Sequence, residues 1–300
     1  MVNSYLFTPK PQTMLSQPPL TQARDDTEII ALWLSGKSKG TTAVYRHTIQ
    51  QFLDFANLPL GEVMLEDLVR WMNSLLLRGY SQNTVSLKIS TVKSLFGYAW
   101  RMGYLQIDMA KALKAPGTVS ALSERILQQG EVKKLLEATK PGRNRVVLTL
   151  IYTTGLRASE ALSINWRSLK PRKNGGQVRV VGKGGKVRSV LIPPPLWEQL
   201  NSLPKHEHQE AVFVTKFGNR LDRHQLHRIV KAAAQKAGIN PDVSAHWLRH
   251  AHACHSLENG CDLDVLMRSL GHSSLTVTSQ YLHARPEEGS SQFISLRERE

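Results

Sequence analysis

From Asp25 to about Lys114 the apolar residues recur at helical spacing, and almost no strand pattern interrupts them. In the clearest stretch, Val85, Ile89, Val92, Phe96 and Ala99 step by four, three, four and three residues, which lines one face of a helix. Ser81 stands before it as an N-cap, and Lys88 and Lys93 fall on the other face. Thr41–Phe55 and Leu65–Leu77 give two more helices, so the region predicts a compact bundle of four or so. Upstream, Met1–Arg24 carries Pro9, Pro11, Pro18 and Pro19 among Gln, Thr and Ser, without acidic residues or apolar period. That composition predicts a disordered tail.

Beyond Lys114 the character changes. Ala115-Pro116-Gly117 followed by small polar residues reads as a linker. Helical stretches resume at Gly130–Thr139, Arg143–Thr153, Arg223–Ala237, His246–Glu258 and Asp262–Leu270, but one hairpin interrupts them. Its β-branched runs, Gln177–Val181 and Lys186–Ile192, flank Gly182-Lys183-Gly184-Gly185, which is strong turn chemistry. The expected organisation is a tail over 1–24, a helical domain over 25–114, a linker over 115–123 and a second, mixed domain over 124–300. The fold class is mostly α (α+β), the second domain being mainly helical with a small antiparallel sheet.

The charge is unevenly spread. Lys and Arg number 39 against 24 Asp and Glu, a net +15 over 300 residues. By region the basic and acidic counts are two and none for 1–24, ten and eight for 25–114, and 27 and 16 for 115–300, or +2, +2 and +11. An excess of this size implies a polyanionic partner, nucleic acid first. Two cysteines, Cys254 and Cys261, form no disulfide framework and point to a reducing compartment. The longest apolar stretches, such as Val146–Ile151 broken by Thr149, are far below the roughly 20 residues that span a bilayer. No signal peptide pattern opens the chain, so a cytoplasmic protein is expected.

Four segments carry groups able to do chemistry. In Thr153-Thr-Gly-Leu-Arg-Ala-Ser-Glu160 a helix ends at Gly155, Arg157 lies in the tight turn, and Glu160 is placed to orient its guanidinium. By itself the segment reads first as an ordinary corner with a surface arginine. The hairpin supplies Arg172, Lys173, Arg179, Lys183, Lys186 and Arg188 with no acidic residue, and Lys183 sits at its tip between glycines. Contact with a phosphate, donation of a proton, and a solvated turn that tracks DNA electrostatically all fit it.

The third segment runs Ser244-Ala-His246-Trp-Leu-Arg249-His250-Ala-His252-Ala-Cys254-His255. His246 and Arg249 project from one helix face. His246 and His250 have the i, i+4 spacing of zinc-binding helices, but no Glu lies between them as a base and Cys254 lacks a nearby Cys partner, so no metal is expected. The fourth segment is Leu270-Gly271-His272 with Tyr281 nine residues after the histidine. The helix Arg223–Ala237, with Arg223, Arg228 and Lys231, is equally a DNA contact and a basic surface helix. Lys88 and Lys93 are candidate DNA contacts of the first domain.

Together these segments hold what metal-free phosphodiester cleavage requires: a nucleophile, cations on the non-bridging oxygens, a proton acceptor and a proton donor. A tyrosine hydroxyl, with a pKa of about 10, needs activation. Two arginine forks grip phosphorane oxygens bidentately, histidines take protons near neutral pH, and a lysine crowded by cations donates one.

In this order and spacing, Gly155-Leu-Arg157-Ala-Ser-Glu160, Gly182-Lys183-Gly184, His246-Trp-Leu-Arg249-His250, Leu270-Gly-His272 and Tyr281 resemble the tyrosine recombinase (phage integrase) family, most closely its bacterial Xer-like members. The resemblance covers roughly Asp25–Ala284. It implies that Arg157 and Arg249 clamp the scissile phosphate, Lys183 is the general acid, His246 the base, and His272 a hydrogen-bond partner of the phosphate. Tyr281 would form the 3′-phosphotyrosyl link, with Glu160 supporting Arg157. It also implies a core-binding (SAM-like) N-terminal bundle, no cofactor, and double-stranded DNA held by a homo- or hetero-tetramer on two synapsed sites, with a monomer off DNA allowed. Its cyclic docking of C-terminal segments meets Pro286, which can start a short helix, and Gly289, which weakens one. A catalytically idle DNA-binding relative and a metal-dependent nuclease built on His246–His255 are the competing readings.

Overall fold

A computed structural model of the chain describes residues 20–117, 125–182, 185–206, 209–272, 278, 279 and 281. Lys183, most of the expected tail and linker, and the expected docking segment lie outside these residues. The chain divides into two compact units at Val119–Ser120.

The first unit holds α1 (Asp26–Ser35), α2 (Lys39–Ala56), α3 (Leu65–Leu77) and α4 (Gln82–Arg101). Asp25, Ser38 and Ser81 cap α1, α2 and α4 by accepting a backbone N–H three residues on, which satisfies one of the donors a helix start leaves free. α4 is the central element and packs on the other three. Its expected stripe, Val85, Ile89, Val92, Phe96 and Ala99, is buried. The edges of Trp71 and Phe96 pack on Phe52 at 5.1 and 6.1 Å between centroids. Each such buried ring contributes on the order of 2 kcal/mol.

The two lysines of α4 do not stand on a free face. Lys88 is buried, and its ammonium donates to Gln51 Oε1 and lies over the Tyr80 ring. Lys93 Nζ donates to the carbonyls of Lys111 and Leu113, at 3.3 and 2.7 Å. Both ammonium heads satisfy oxygens of the same unit. Lys88 and Lys93, expected as DNA contacts, thus have their ammonium groups engaged by oxygens of the first unit.

The second unit contains α5 (Gln129–Ala138), α6 (Arg143–Thr154), α7 (Ala158–Leu162), β1 (Leu169–Arg172), β2 (Gly175–Val181), β3 (Val187–Ile192), α8 (Pro194–Asn201), α9 (Arg223–Ala237), α10 (Ala245–Glu258) and α11 (Leu263–Leu270). α6 runs through its core, with Val146, Val147, Leu148, Leu150 and Ile151 buried, and it packs against α10, α8 and β3. The strands form an antiparallel sheet in the order β1-β2-β3, with Leu169 opposite Val178 and Val178 opposite Val190. Val178, Val180, Val190 and Ile192 point inward while Arg179 and Leu191 face solvent, the alternation a half-buried sheet demands.

Two elements lie beyond the sequence expectation. β1 is a short edge strand without an apolar period, and its Pro171 is tolerated because an edge need not donate on both sides. α8 begins inside Pro193-Pro194-Pro195, where proline at the first helical positions costs no intrahelical bond. No helix among the described residues is long and apolar enough to cross a membrane.

Candidate active site

The site forms where the C-terminal ends of α6 and α11 meet the start of α7 and one face of α10. α6 stops at Gly155, which takes the left-handed conformation at φ 64°. The turn releases Arg157 as the residue before α7, and Glu160 reaches back to accept its N–H at 2.8 Å. α11 ends in the same way at Gly271, φ 66°. The last carbonyls of both helices therefore point into one space carrying partial negative charge.

Arg249 fills that space. It is almost fully buried on α10, donating from Nη1 to the Gly155 carbonyl at 2.5 Å and from Nη2 to the Leu270 carbonyl at 2.9 Å. Nη2 also donates to Nε2 of His272 at 2.9 Å. Since a guanidinium only donates, Nε2 must carry the lone pair, and Nδ1–H of His272 donates to Thr278 Oγ1 at 2.9 Å. Burial, then repulsion from Arg157, lowers the Arg249 pKa to about 10, so it stays charged.

Glu160 is the carboxylate that balances the cluster. Arg188 from β3 donates to both of its oxygens, at 2.8 and 2.9 Å, Arg157 Nη1 donates at 3.0 Å, and Arg249 Nη1 lies 4.0 Å away. Burial by itself would raise the Glu160 pKa, but the bonds from Arg188 and the Arg157 backbone hold it at about 2. Three guanidinia against one carboxylate leave the pocket clearly cationic. Arg157 is the guanidinium turned toward solvent, with a third of its side chain exposed against 14% for Arg188 and 2% for Arg249.

Tyr281 is buried beside this cluster, and its Oη is 3.0 Å from Nδ1 of His250. Its ring lies parallel to that of His272 with 6.5 Å between centroids. Burial raises the phenol pKa, against the lowering pull of Arg249. His246 is exposed at the edge, its ring packed edge-on against His250 at 4.1 Å. Loss of hydration and the neighbouring guanidinia lower the pKa of His246, and bring those of His250 and His272 to about 3 and 4. All three imidazoles are therefore neutral near pH 7.

Five of the seven residues assigned to the site from sequence, Arg157, Glu160, Arg249, His272 and Tyr281, thus come together in one pocket, and His246 borders it. Lys183 lies outside the described residues, but Gly182, immediately before it, abuts the cluster. A Cβ on Gly182 would stand 3.5 Å from Arg188 Nη1 and 3.6 Å from Glu160 Oε1.

Arg188, expected among the DNA contacts, directs its fork to Glu160, and its Nε donates to the Ser269 carbonyl at 2.8 Å. Its register partner on β2 is the buried Val180, so it points to the face opposite Arg179, a signal of an inward-reaching cation that charge counting overlooks. Sequence reasoning also gave His250 no part at the tyrosine, although its place one turn after His246 puts it on the same helix face. Among the other basic candidates, Arg172, Lys173, Arg179, Lys186, Arg223 and Arg228 are exposed. Lys231 is half-buried, donating to the Pro241 carbonyl and lying 3.8 Å from Asp242. No cluster of three or more His, Cys, Asp or Glu side chains able to hold one metal ion occurs among the described residues.

Residues 125–288 match the phage integrase family, and residues 30–103 match the phage integrase N-terminal SAM-like domain. The chain is 31% identical over 257 residues to tyrosine recombinase XerA of Pyrococcus furiosus, an alignment covering 83% of this chain and 85% of that one. It is likewise 31% identical to tyrosine recombinase XerD of Oceanobacillus iheyensis, covering 83% and 89%. In fold it is similar to a lambda integrase fragment dimer bound to a COC′ core site, with a TM-score of 0.72, 19% identity, and coverage of 91% and 98%. A second neighbour is XerH recombinase in a post-cleavage complex with a palindromic difH substrate, at TM-score 0.68, 21% identity, and coverage of 88% and 95%. The chain belongs to the phage integrase family of tyrosine recombinases. Within that family it is a tyrosine-type site-specific recombinase of the Xer-like kind.

Proposed function

We propose that this recombinase cuts and rejoins duplex DNA through a covalent link to Tyr281, with Arg157 and Arg249 holding the scissile phosphate. The observation that carries the reading is the convergence of Arg157, Arg249, His272 and Tyr281 on one cationic pocket braced by a single carboxylate. A phosphodiester gains negative charge as it becomes five-coordinate, and fixed guanidinia stabilise that change without reorganising. Arg157, the most exposed of the three guanidinia, meets the phosphate first, while Arg249 shares the fork that now serves two carbonyls.

Lys183 is proposed as the acid for the leaving 5′ oxygen, which agrees with the position of Gly182 against Glu160. His272 is proposed to face the phosphate after exchanging its bond to Arg249. The transesterification conserves the bond energy in the tyrosyl ester, so rejoining needs no nucleotide cofactor. The exposed cations Arg172, Lys173, Arg179, Lys186, Arg223 and Arg228 are proposed to follow the DNA backbone.

A tetramer on two synapsed sites is the proposed assembly, since a lambda integrase tetramer bound to a Holliday junction shares the fold at TM-score 0.68. The organisation into a core-binding domain over 25–114 and a catalytic domain over 124–300, acting in the cytoplasm, completes the proposal. The test is recombination itself. DNA trapped covalently by the protein is mapped, the recovered site is placed twice on a plasmid, and deletion or inversion is scored. Recombinants in wild type and none in Arg249→Ala are expected. Binding without recombinants or Holliday-junction resolution would favour the idle relative, and activity lost in chelator would favour the nuclease.

A further inference from the structure

Two imidazoles, His250 and His272, flank Tyr281 and a third, His246, packs on His250, and they are not equivalent. His272 has both ring nitrogens engaged, Nε2 by Arg249 and Nδ1 by Thr278. His246 is exposed, and no hydrogen bond joins it to Tyr281 among the described residues. His250 alone of the three touches the oxygen, with Nδ1 at 3.0 Å from Oη and both side chains buried. The two rings are tilted by 52° with centroids 5.6 Å apart, which lets the phenol proton lie along the Nδ1 lone pair.

We propose that His250, in place of His246, is the catalytic residue that takes the phenolic proton of Tyr281 during strand cleavage. The inference rests on the strand-transfer reading above. In the step, the Oη–H bond breaks and its proton passes to Nδ1 of His250 while Oη bonds to phosphorus. The P–O5′ bond breaks, and the departing 5′ oxygen takes a proton from a separate donor, Lys183 in the present proposal. Rejoining runs the same transfers backward, with His250 returning the proton to Oη as the 5′ hydroxyl attacks.

The surroundings suit this work. Burial first, then His246, Arg249, Arg125 and His272, keep the imidazole neutral, so its lone pair is available near pH 7. Burial keeps the phenol protonated as well, so no proton moves in the resting site. A phosphodiester bound at Arg157 and Arg249 offsets the cations that depress His250, and bonding to phosphorus makes Oη strongly acidic. Both changes come only with substrate, which ties deprotonation to attack. His246, packed edge-on against His250, then orients the base rather than acting as one.

The experiment compares His250→Asn and His250→Ala with wild type in single-turnover formation of the covalent adduct on a nicked duplex. Two duplexes are used, one ordinary and one with sulfur at the bridging 5′ position, a leaving group that needs no acid. Asparagine sets an amide oxygen near the place of Nδ1, preserving an acceptor that is not a base. Both variants are expected to form adduct about 10²–10⁴-fold more slowly on both duplexes, with DNA binding and melting temperature near wild type for His250→Asn. Lys183→Ala, by contrast, recovers on the sulfur duplex. A His250→Asn rate within about threefold of wild type, or recovery of either His250 variant by sulfur, overturns the proposal. If His250→Ala fails to fold, His250→Asn decides. Absence of adduct in the wild type would instead sink the strand-transfer reading on which the proposal stands.

Discussion

Arg188 on β3 and Glu160 on α7 meet through two parallel hydrogen bonds of 2.8 and 2.9 Å, and this pair holds the hairpin against the arginine cluster. The same carboxylate accepts from the Arg157 backbone and side chain. One buried anion thus joins β3 to the turn that opens α7, 28 residues away in sequence.

Removing that anion should destabilise the second unit. Glu160→Gln leaves Arg188 buried without its counter-charge, a loss of about 3 kcal/mol. The sign with pH follows from the depressed pKa. The folded value is about 2 against an ordinary 4.5, so the stabilisation is full above about 4.5 and is lost as pH falls from there toward 2. Denaturant unfolding of wild type and Glu160→Gln should differ most at neutral pH and converge on acidification. Divergence at low pH would contradict the assignment.

Arg188 and Arg179 belong to neighbouring strands of one hairpin, yet their loss should read differently. Arg188→Ala should slow adduct formation roughly 10²-fold by loosening Glu160 and the site, with little change in the salt dependence of binding. Arg179→Ala should lower the slope of log affinity against log salt by about one and leave the bound complex competent. Filter binding over a salt series, paired with single-turnover cleavage, separates the two.

Gly155 has no room for a side chain. A Cβ there would lie 2.5 Å from His252 Cδ2 and 2.6 Å from Leu270 Cδ2, at a φ of 64° that disfavours other residues. Gly155→Ala should cost about 2–4 kcal/mol. Because Arg249 donates to the Gly155 carbonyl, cleavage should fall further than the melting temperature alone explains. A variant that melts lower but cleaves normally at a permissive temperature would separate the turn from the arginine.

Lys88 gives the complementary case in the first unit. Lys88→Met keeps the buried stem but removes the donor to Gln51 and the charge over Tyr80. A loss of about 1–2 kcal/mol is expected, with the salt slope of DNA binding unchanged. A slope reduced by one with stability intact would return Lys88 to the DNA surface.

Helix starts and stops were legible because they depend on neighbours in the chain. Ser81 caps α4, Gly155 ends α6, and the 3.6-residue period of Val85–Ala99 marks a buried face. The order of the site motifs was legible for the same reason, since a turn must carry Arg157 and a helix must carry Arg249. What the sequence hides is which partner each cation finds. Arg188 and Arg179 are alike as letters, but the two-residue alternation of strands and a carboxylate 28 residues away decide that one is a brace and the other exposed. Lys88 is hidden similarly, because its burial depends on Gln51 from α2 and the long stem that lysine can fold inward. His250 needed the placement of Tyr281, which only the packing of that residue against α10 supplies.

The central claim is that Tyr281 attacks a DNA phosphate. The most direct test is to form the adduct on a nicked duplex in EDTA, digest it, and locate the nucleotide by peptide mass mapping. The account predicts a 3′-phosphate ester on Tyr281, a free 5′ hydroxyl on the released strand, and no adduct in Tyr281→Phe. DNA attached to any other residue, a 5′-phosphoryl link, or strand cutting with no covalent intermediate would contradict it.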